Sequence, residues 1–205
     1  MPSLAATAPE PDLRLWTAEE FLDWLEPGVK ADLIDGEKNM HSPVNFKHAR
    51  LINFMDRLLG PYVESRKLGE VHRETVAVRL SARNVFLPDL AYFTNEQVAR
   101  LQPTFAPFAP TFVVEALSPG NPERDLIEKF PKYEEHGVKE YWILDPDHLR
   151  HRFFRRQDEL LVEFAQRGEK ISSPSTKGFW VKRSWLNPEQ LPEVTRCLRE
   201  VMGKL

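Results

Sequence analysis

Apolar and polar positions alternate along this chain with two different periods, and the switches between them predict its elements. Near the start, "WTAEEFLDWL" has Thr17 and Glu20 at capping-box spacing, with Trp16 and Phe21 placed as a hydrophobic staple, so a helix begins there. "ADLIDGEKNMHSP" reads as a β-hairpin turning at Asp35-Gly36. From Asn45 to Lys67, Leu51, Ile52, Met55, Leu58, Leu59, Tyr62 and Val63 recur at helical spacing. This predicts a long helix, kinked at Gly60-Pro61 and stopped by Gly69.

Strand-type runs follow: "EVHRETVAVRL", "NVFLPDLAYF" and "TFVVEALS", the third preceded by the proline-rich "LQPTFAPFAP". A loop and helix over "SPGNPERDLIEKFPKYEEHGV" then lead into "EYWILDPD". Strand, helix, strand is a crossover, so "VVEAL" and "YWIL" are expected to lie parallel and adjacent. "HRFFRR", "ELLVEFAQ" and "GFWVKRSW" read as further strands, and an amphipathic helix is predicted from Pro188 to Met202. The expected fold class is α/β, an α+β arrangement around a mixed, curved sheet flanked by helices. No internal repeat or low-complexity segment interrupts it. Residues 15–205 are expected to form a single domain behind a frayed tail, 1–14.

Composition narrows the function. The chain has 205 residues, 41% of them hydrophobic, which is enough for one sizeable core. No apolar run approaches the roughly 18 residues of a membrane span, and the first residues lack the layout of a secretory signal. These features predict a soluble, cytoplasmic protein. Cys197 is the only cysteine, which excludes an internal disulfide and a cysteine-based zinc site. A net charge of −3 argues against a general nucleic-acid coat protein. It leaves room for a local basic patch, for which "RHRFFRR" (Arg150 to Arg156) is a candidate, although strand alternation makes a solvated sheet face the simpler reading. His72, His136, His148 and His151 show no metal-ligand spacing.

The chemistry gathers around two carboxylates in apolar strands. Glu115 interrupts "FVVEALSP" and Asp89 interrupts "FLPDLAYF". A buried carboxylate needs a partner. Two such acids on neighbouring strands can share Mg²⁺, or Mn²⁺ in its place, with the Ala116 carbonyl as a further oxygen ligand and a nearby lysine acting on water. Simpler readings stand beside these. Asp89 could cap a turn, Glu115 could sit on an exposed edge, and Asp125 and Lys129 could form a surface pair at i, i+4. Tyr133, on the same helical face, could be a packing residue.

"PD" followed by an acid on the next strand resembles the PD-(D/E)-x-K nuclease superfamily, with Pro88-Asp89 as the dipeptide and Glu115 as the acid. Leu117 stands where that pattern has lysine. The ordered set "LIDGE", His48, "PDLAYF", "VVEALSP", D-x-x-x-K-x-x-x-Y and "GVKEYWILDP" is similar to the Uma2 family of restriction-endonuclease-like proteins, over roughly Thr17 to Leu186. The resemblance implies a restriction-endonuclease-like fold, metal-dependent cleavage of DNA, and catalysis by Asp89, Glu115 and Lys129, the last as a lysine migrated onto the helix. It also implies accessory roles for Glu37, His48, Asp125 and Tyr133. Pro131 falls in the lysine-bearing helix, where a kink would move Lys129. A homodimer is expected, since cutting both strands of a duplex calls for two protomers. The alternative is a non-catalytic oligomeric or nucleic-acid-binding module that keeps the fold.

Overall fold

A computed structural model describes residues 14–73, 76–118 and 124–203, with Arg124 and Asp125 described by backbone only. In chain order the elements are α1 (Ala18–Trp24), β1 (Ala31–Ile34), β2 (Glu37–Met40), α2 (Phe46–Ser65), β3 (Gly69–Arg73), β4 (Ala77–Arg79), β5 (Val85–Phe86) and β6 (Leu90–Thr94). The short α3 (Asn95–Val98), β7 (Phe105–Ala106) and β8 (Phe112–Ala116) follow. A π-helical turn (Arg124–Lys129) then runs into α4 (Phe130–Glu135), β9 (Glu140–Leu144), β10 (Arg152–Gln157), β11 (Leu160–Phe164), β12 (Lys170–Ser172), β13 (Trp180–Lys182) and α5 (Val194–Met202).

Local chemistry explains the first elements. Thr17 and Glu20 exchange both capping-box hydrogen bonds at the start of α1. Asp35 and Gly36 both hold positive φ, 51° and 91°, as the two-residue turn between β1 and β2 requires. Asn45 caps α2 by accepting from the His48 N–H. The helix runs unbroken through Pro61 and ends at Ser65, and Lys67, with φ 53°, turns the chain away. Gly69 is therefore not the helix stop. It opens β3, where an added Cβ would lie 1.9 Å from the Phe93 carbonyl oxygen, so only glycine fits this approach to β6. The last helix begins at Val194, later than the apolar spacing from Pro188 suggests, because Pro192 has no N–H to continue a turn.

The expected single sheet is divided. Six strands in the order β11-β10-β9-β8-β6-β3 form a mixed sheet in which β8 and β9 are parallel, as the crossover requires. Five more, β2-β1-β5-β4-β7, form a second sheet, and β12 pairs with β13. The runs "EVHRETVAVRL" and "NVFLPDLAYF" each contribute one strand to each large sheet. In the second run the crossing falls at Pro88-Asp89, where proline cannot donate to a ladder.

Residues on one face of the six-stranded sheet, among them Trp142, Val114 and Phe153, bury against α2, α5 and the β12–β13 pair. On the other face Val113, Tyr141 and Ile143 pack with Phe86 and Tyr133. Glu115 belongs to this second face by strand alternation. Among the described residues no helix is long and apolar enough to cross a membrane.

A second buried acid sits on the first face, at the beginning of β9. Glu140 is fully buried and accepts from Ser173 Oγ (2.6 Å), the Ser175 N–H (3.0 Å) and the Ser175 hydroxyl. Burial outweighs these bonds and pushes its pKa up to about 7 from 4.5. A folded value above the unfolded one means that stability from this group is complete below about pH 4.5 and is lost as pH rises to about 7. Between pH 5 and 7.5 the wild-type protein should lose on the order of 2–3 kcal/mol by chemical denaturation, and Glu140→Gln should abolish most of that slope. Equal slopes in the two proteins would contradict the assignment.

Candidate active site

Asp89 and Glu115 meet where β6 and β8 leave their ladder. Leu90 pairs with Val114, so Asp89 falls opposite Glu115 one step further on. The backbone locks both carboxylates reciprocally. The Asp89 N–H donates to Glu115 Oε2 at 3.0 Å, and the Ala116 N–H donates to Asp89 Oδ2 at 2.8 Å. A strand residue presents its N–H and C=O toward the same neighbour, so the Ala116 carbonyl also faces the Asp89 side of β8.

Glu115 is therefore neither on an exposed edge nor unpaired. Its other oxygen, Oε1, accepts from Lys129 Nζ at 3.1 Å and from the Tyr133 hydroxyl at 3.0 Å. Tyr133 is fully buried between Phe86 and Tyr141, with ring centroids 5.3 and 5.0 Å away. It both packs and donates. Lys129 is buried as well, with its side chain only 4% exposed, which rules out a surface ion pair for it.

The expected kink at Pro131 does not displace the lysine. The chain forms a π-helical turn up to Lys129, and α4 starts afresh at Phe130, which puts Pro131 in a first turn where its missing N–H leaves no bond broken. A wide turn of this type commonly marks a functional site. The Asp125 side chain lies outside the described residues.

Sequence reading missed the fourth member. Asp32, in the middle of β1 and fully buried, lies 3.0 Å from Lys129 Nζ through Oδ2, and the same oxygen is 2.9 Å from His41 Nε2. Its Oδ1 accepts from the Leu87 N–H at 2.8 Å. Burial raises the pKa of Asp32, but the Lys129 ammonium, His41 and the Leu87 N–H together hold it well below the usual carboxylate range. The signal was available in "ADLI", a carboxylate between apolar residues of a strand, the same pattern that drew attention to Glu115.

His48, buried in the first turn of α2, places Nε2 3.3 Å from Asp89 Oδ2. Burial pushes the Asp89 pKa up. The hydrogen bond and charge of His48, the Ala116 N–H and Lys129 overcome that and leave it lowered. Asp89 remains partly open, its side chain 14% exposed. Glu37, by contrast, is exposed at the start of β2 and is not joined to the cluster.

The basic run after β9 stays apart from this site. Arg152 forks onto Glu163, and Arg156 donates to the carbonyls of Val138, Glu159 and Glu134, as structural residues do. Burial lowers the His151 pKa to about 4, and its Nδ1 accepts the Asp145 N–H.

The sequence model of one family matches residues 18–188, and its description is "putative restriction endonuclease". The chain belongs to the Uma2 family. Among solved structures it is similar to a "putative nuclease belonging to DUF820" from Anabaena variabilis, with a TM-score of 0.65 and 17% identity over 90% of this chain and 98% of that one. That likeness speaks for the fold, and family and fold together place the chain among restriction-endonuclease-like nucleases. No curated protein matches it.

Lys129 stands between two buried carboxylates in this Uma2 protein, so removing it takes a cation from both. Lys129→Met should destabilise the fold by about 3–5 kcal/mol at pH 7, and adding Asp32→Asn should recover part of the loss. Urea denaturation of the single and double variants measures the coupling; strictly additive losses would show that the two residues do not act as a unit.

Proposed function

We propose that this Uma2 protein hydrolyses DNA phosphodiester bonds in a Mg²⁺-dependent reaction, with Mn²⁺ able to substitute. The observation that carries the reading is the reciprocal lock between Asp89 and Glu115, with a buried lysine against the second acid. A fixed pair of acids is an unfavourable thing to build into strand ends for packing alone.

The donor set fits a hard cation. Asp89 is the partly open acid, Glu115 stands beside it, and the Ala116 carbonyl faces the same edge, an all-oxygen set of the kind magnesium takes with water and phosphate completing its shell. Among the described residues no group of three or more histidine, cysteine or acidic side chains could hold a metal, so the proposed cation would rest on two carboxylates. When bound, the cation supplies Lewis-acid polarisation and charge neutralisation at the phosphate.

The protein's own groups do the rest. Lys129, held by Asp32 on one side and Glu115 on the other, keeps a positive charge at a fixed place and orients water or opposes the charge that develops on the phosphate. Tyr133 fixes the Glu115 carboxylate, and His48, itself buried, holds Asp89. Asp32 positions the lysine rather than touching substrate.

A non-catalytic binding role is the second reading, favoured by one observation: both Glu115 oxygens are already engaged, by Lys129, Tyr133 and the Asp89 N–H. Cleavage separates the two. With Mg²⁺, the wild-type protein should cut plasmid or oligonucleotide DNA, and Asp89→Ala or Glu115→Gln should each lower the rate by about a hundredfold or more while remaining folded. Mg²⁺ should also raise the wild-type melting temperature and leave that of Asp89→Ala unmoved. Undiminished cleavage in both variants would sink the assignment.

A further inference from the structure

The outer face of α2 carries a pattern that the cluster around Glu115 does not use. Phe46, Arg50, Asn53 and Arg57 follow one another at i, i+4, i+7 and i+11, which puts them on one stripe of the helix. Phe46 is 82% exposed, more than any other large hydrophobic residue described, and Arg50, Asn53 and Arg57 are exposed too. Among the described residues, no ion pair or hydrogen bond joins Arg50 or Arg57 to an acid. Arg73 lies at the flank, donating to Asn53 Oδ1 at 2.6 Å and standing 3.9 Å from Asp56 Oδ2. The first acid on the stripe is Glu64, near the far end of the helix.

The stripe shares the first turns of α2 with His48 but faces the other way. Phe46 and Arg50 flank His48 in sequence, and His48 reaches Asp89 from the opposite, buried side of the same helical turns. Arg50 and Arg57 stand about 10 Å apart along the axis. An aromatic ring left open at one end of a row that holds Arg50 and Arg57, neither joined to an acid, has the composition of a nucleic-acid platform, in which the ring covers a base and the guanidiniums neutralise the backbone. A base can lie on Phe46 only if its own face is free, which a base inside a stacked duplex does not offer.

Resting on the nuclease reading, we propose that the outer face of α2 binds a DNA strand with unpaired bases, Phe46 stacking on a base and Arg50 and Arg57 contacting phosphates of the same strand. The substrate class is then single-stranded DNA, or a duplex carrying a flap or an unpaired junction.

Fluorescence anisotropy of the full chain with a labelled single-stranded oligonucleotide, in EDTA and over a range of salt, tests this. Phe46→Ala should weaken binding by about 5- to 150-fold with the salt dependence intact, and Phe46→Trp should restore it. The double variant Arg50→Ala/Arg57→Ala should weaken it and reduce the slope of log K against log[salt] by about 1.4, while Arg167→Ala, an exposed arginine elsewhere, should change neither. Circular dichroism melts confirm that each variant is folded. Wild-type binding and slope retained in both stripe variants would overturn the proposal, as would a Phe46→Ala loss equal for single strands and blunt duplex. If the wild-type protein cleaves DNA in either case, the nuclease reading stands without the stripe; if it neither binds nor cleaves, both fall.

Discussion

One ammonium group holds this protein's interior together. Lys129 Nζ lies between Asp32, on the five-stranded sheet, and Glu115, on the six-stranded sheet, at 3.0 and 3.1 Å, so a single charge joins the two sheets at the point where the chain crosses between them. Either acid alone in that setting would be strongly disfavoured. The lysine faces both buried carboxylates, and a third, Asp89, is held beside them by His48 and a backbone N–H. The arrangement places charge where packing alone would exclude it.

The backbone is shaped around this requirement. Pro88 ends one ladder and lets the chain change sheets, leaving Asp89 at the opening of β6. Glu115 comes one residue before the end of β8, beyond its last pairing with β6, so its carboxylate meets the Asp89 N–H rather than a packed neighbour. The π-helical turn delays α4 until after Lys129, which both accommodates Pro131 and aims the amine inward. Phe86 packs edge-on against Tyr133, and Lys129 Nζ stands 5.7 Å from the Phe86 ring centroid. Each is a local departure from regular structure, and such departures gather where a site must be assembled.

Much of the architecture was legible in the chain because it rests on local rules: the capping box at Thr17, the Asp35-Gly36 turn and the parallel β8–β9 pair all follow from short-range chemistry or from chain handedness. The two acids were legible because a carboxylate amid apolar strand residues is costly. What escaped was long-range. Nothing local tells that "NVFLPDLAYF" would feed two sheets, or that Asp32 would meet a lysine 97 positions on. A rule that treats Pro131 as a kink also fails when the preceding turn widens. Gly69 was misread for a similar reason, because its constraint comes from the Phe93 carbonyl across the sheet and not from the helix before it.

The proposed cation site at Asp89 and Glu115 can be seen or ruled out in crystals of the protein soaked in Mn²⁺, with anomalous data collected. A peak bound by Asp89, Glu115 and the Ala116 carbonyl is expected, with Lys129 still on Asp32 and about one water away from the metal. No peak there at saturating Mn²⁺, or Lys129 turned out to solvent, overturns the assignment.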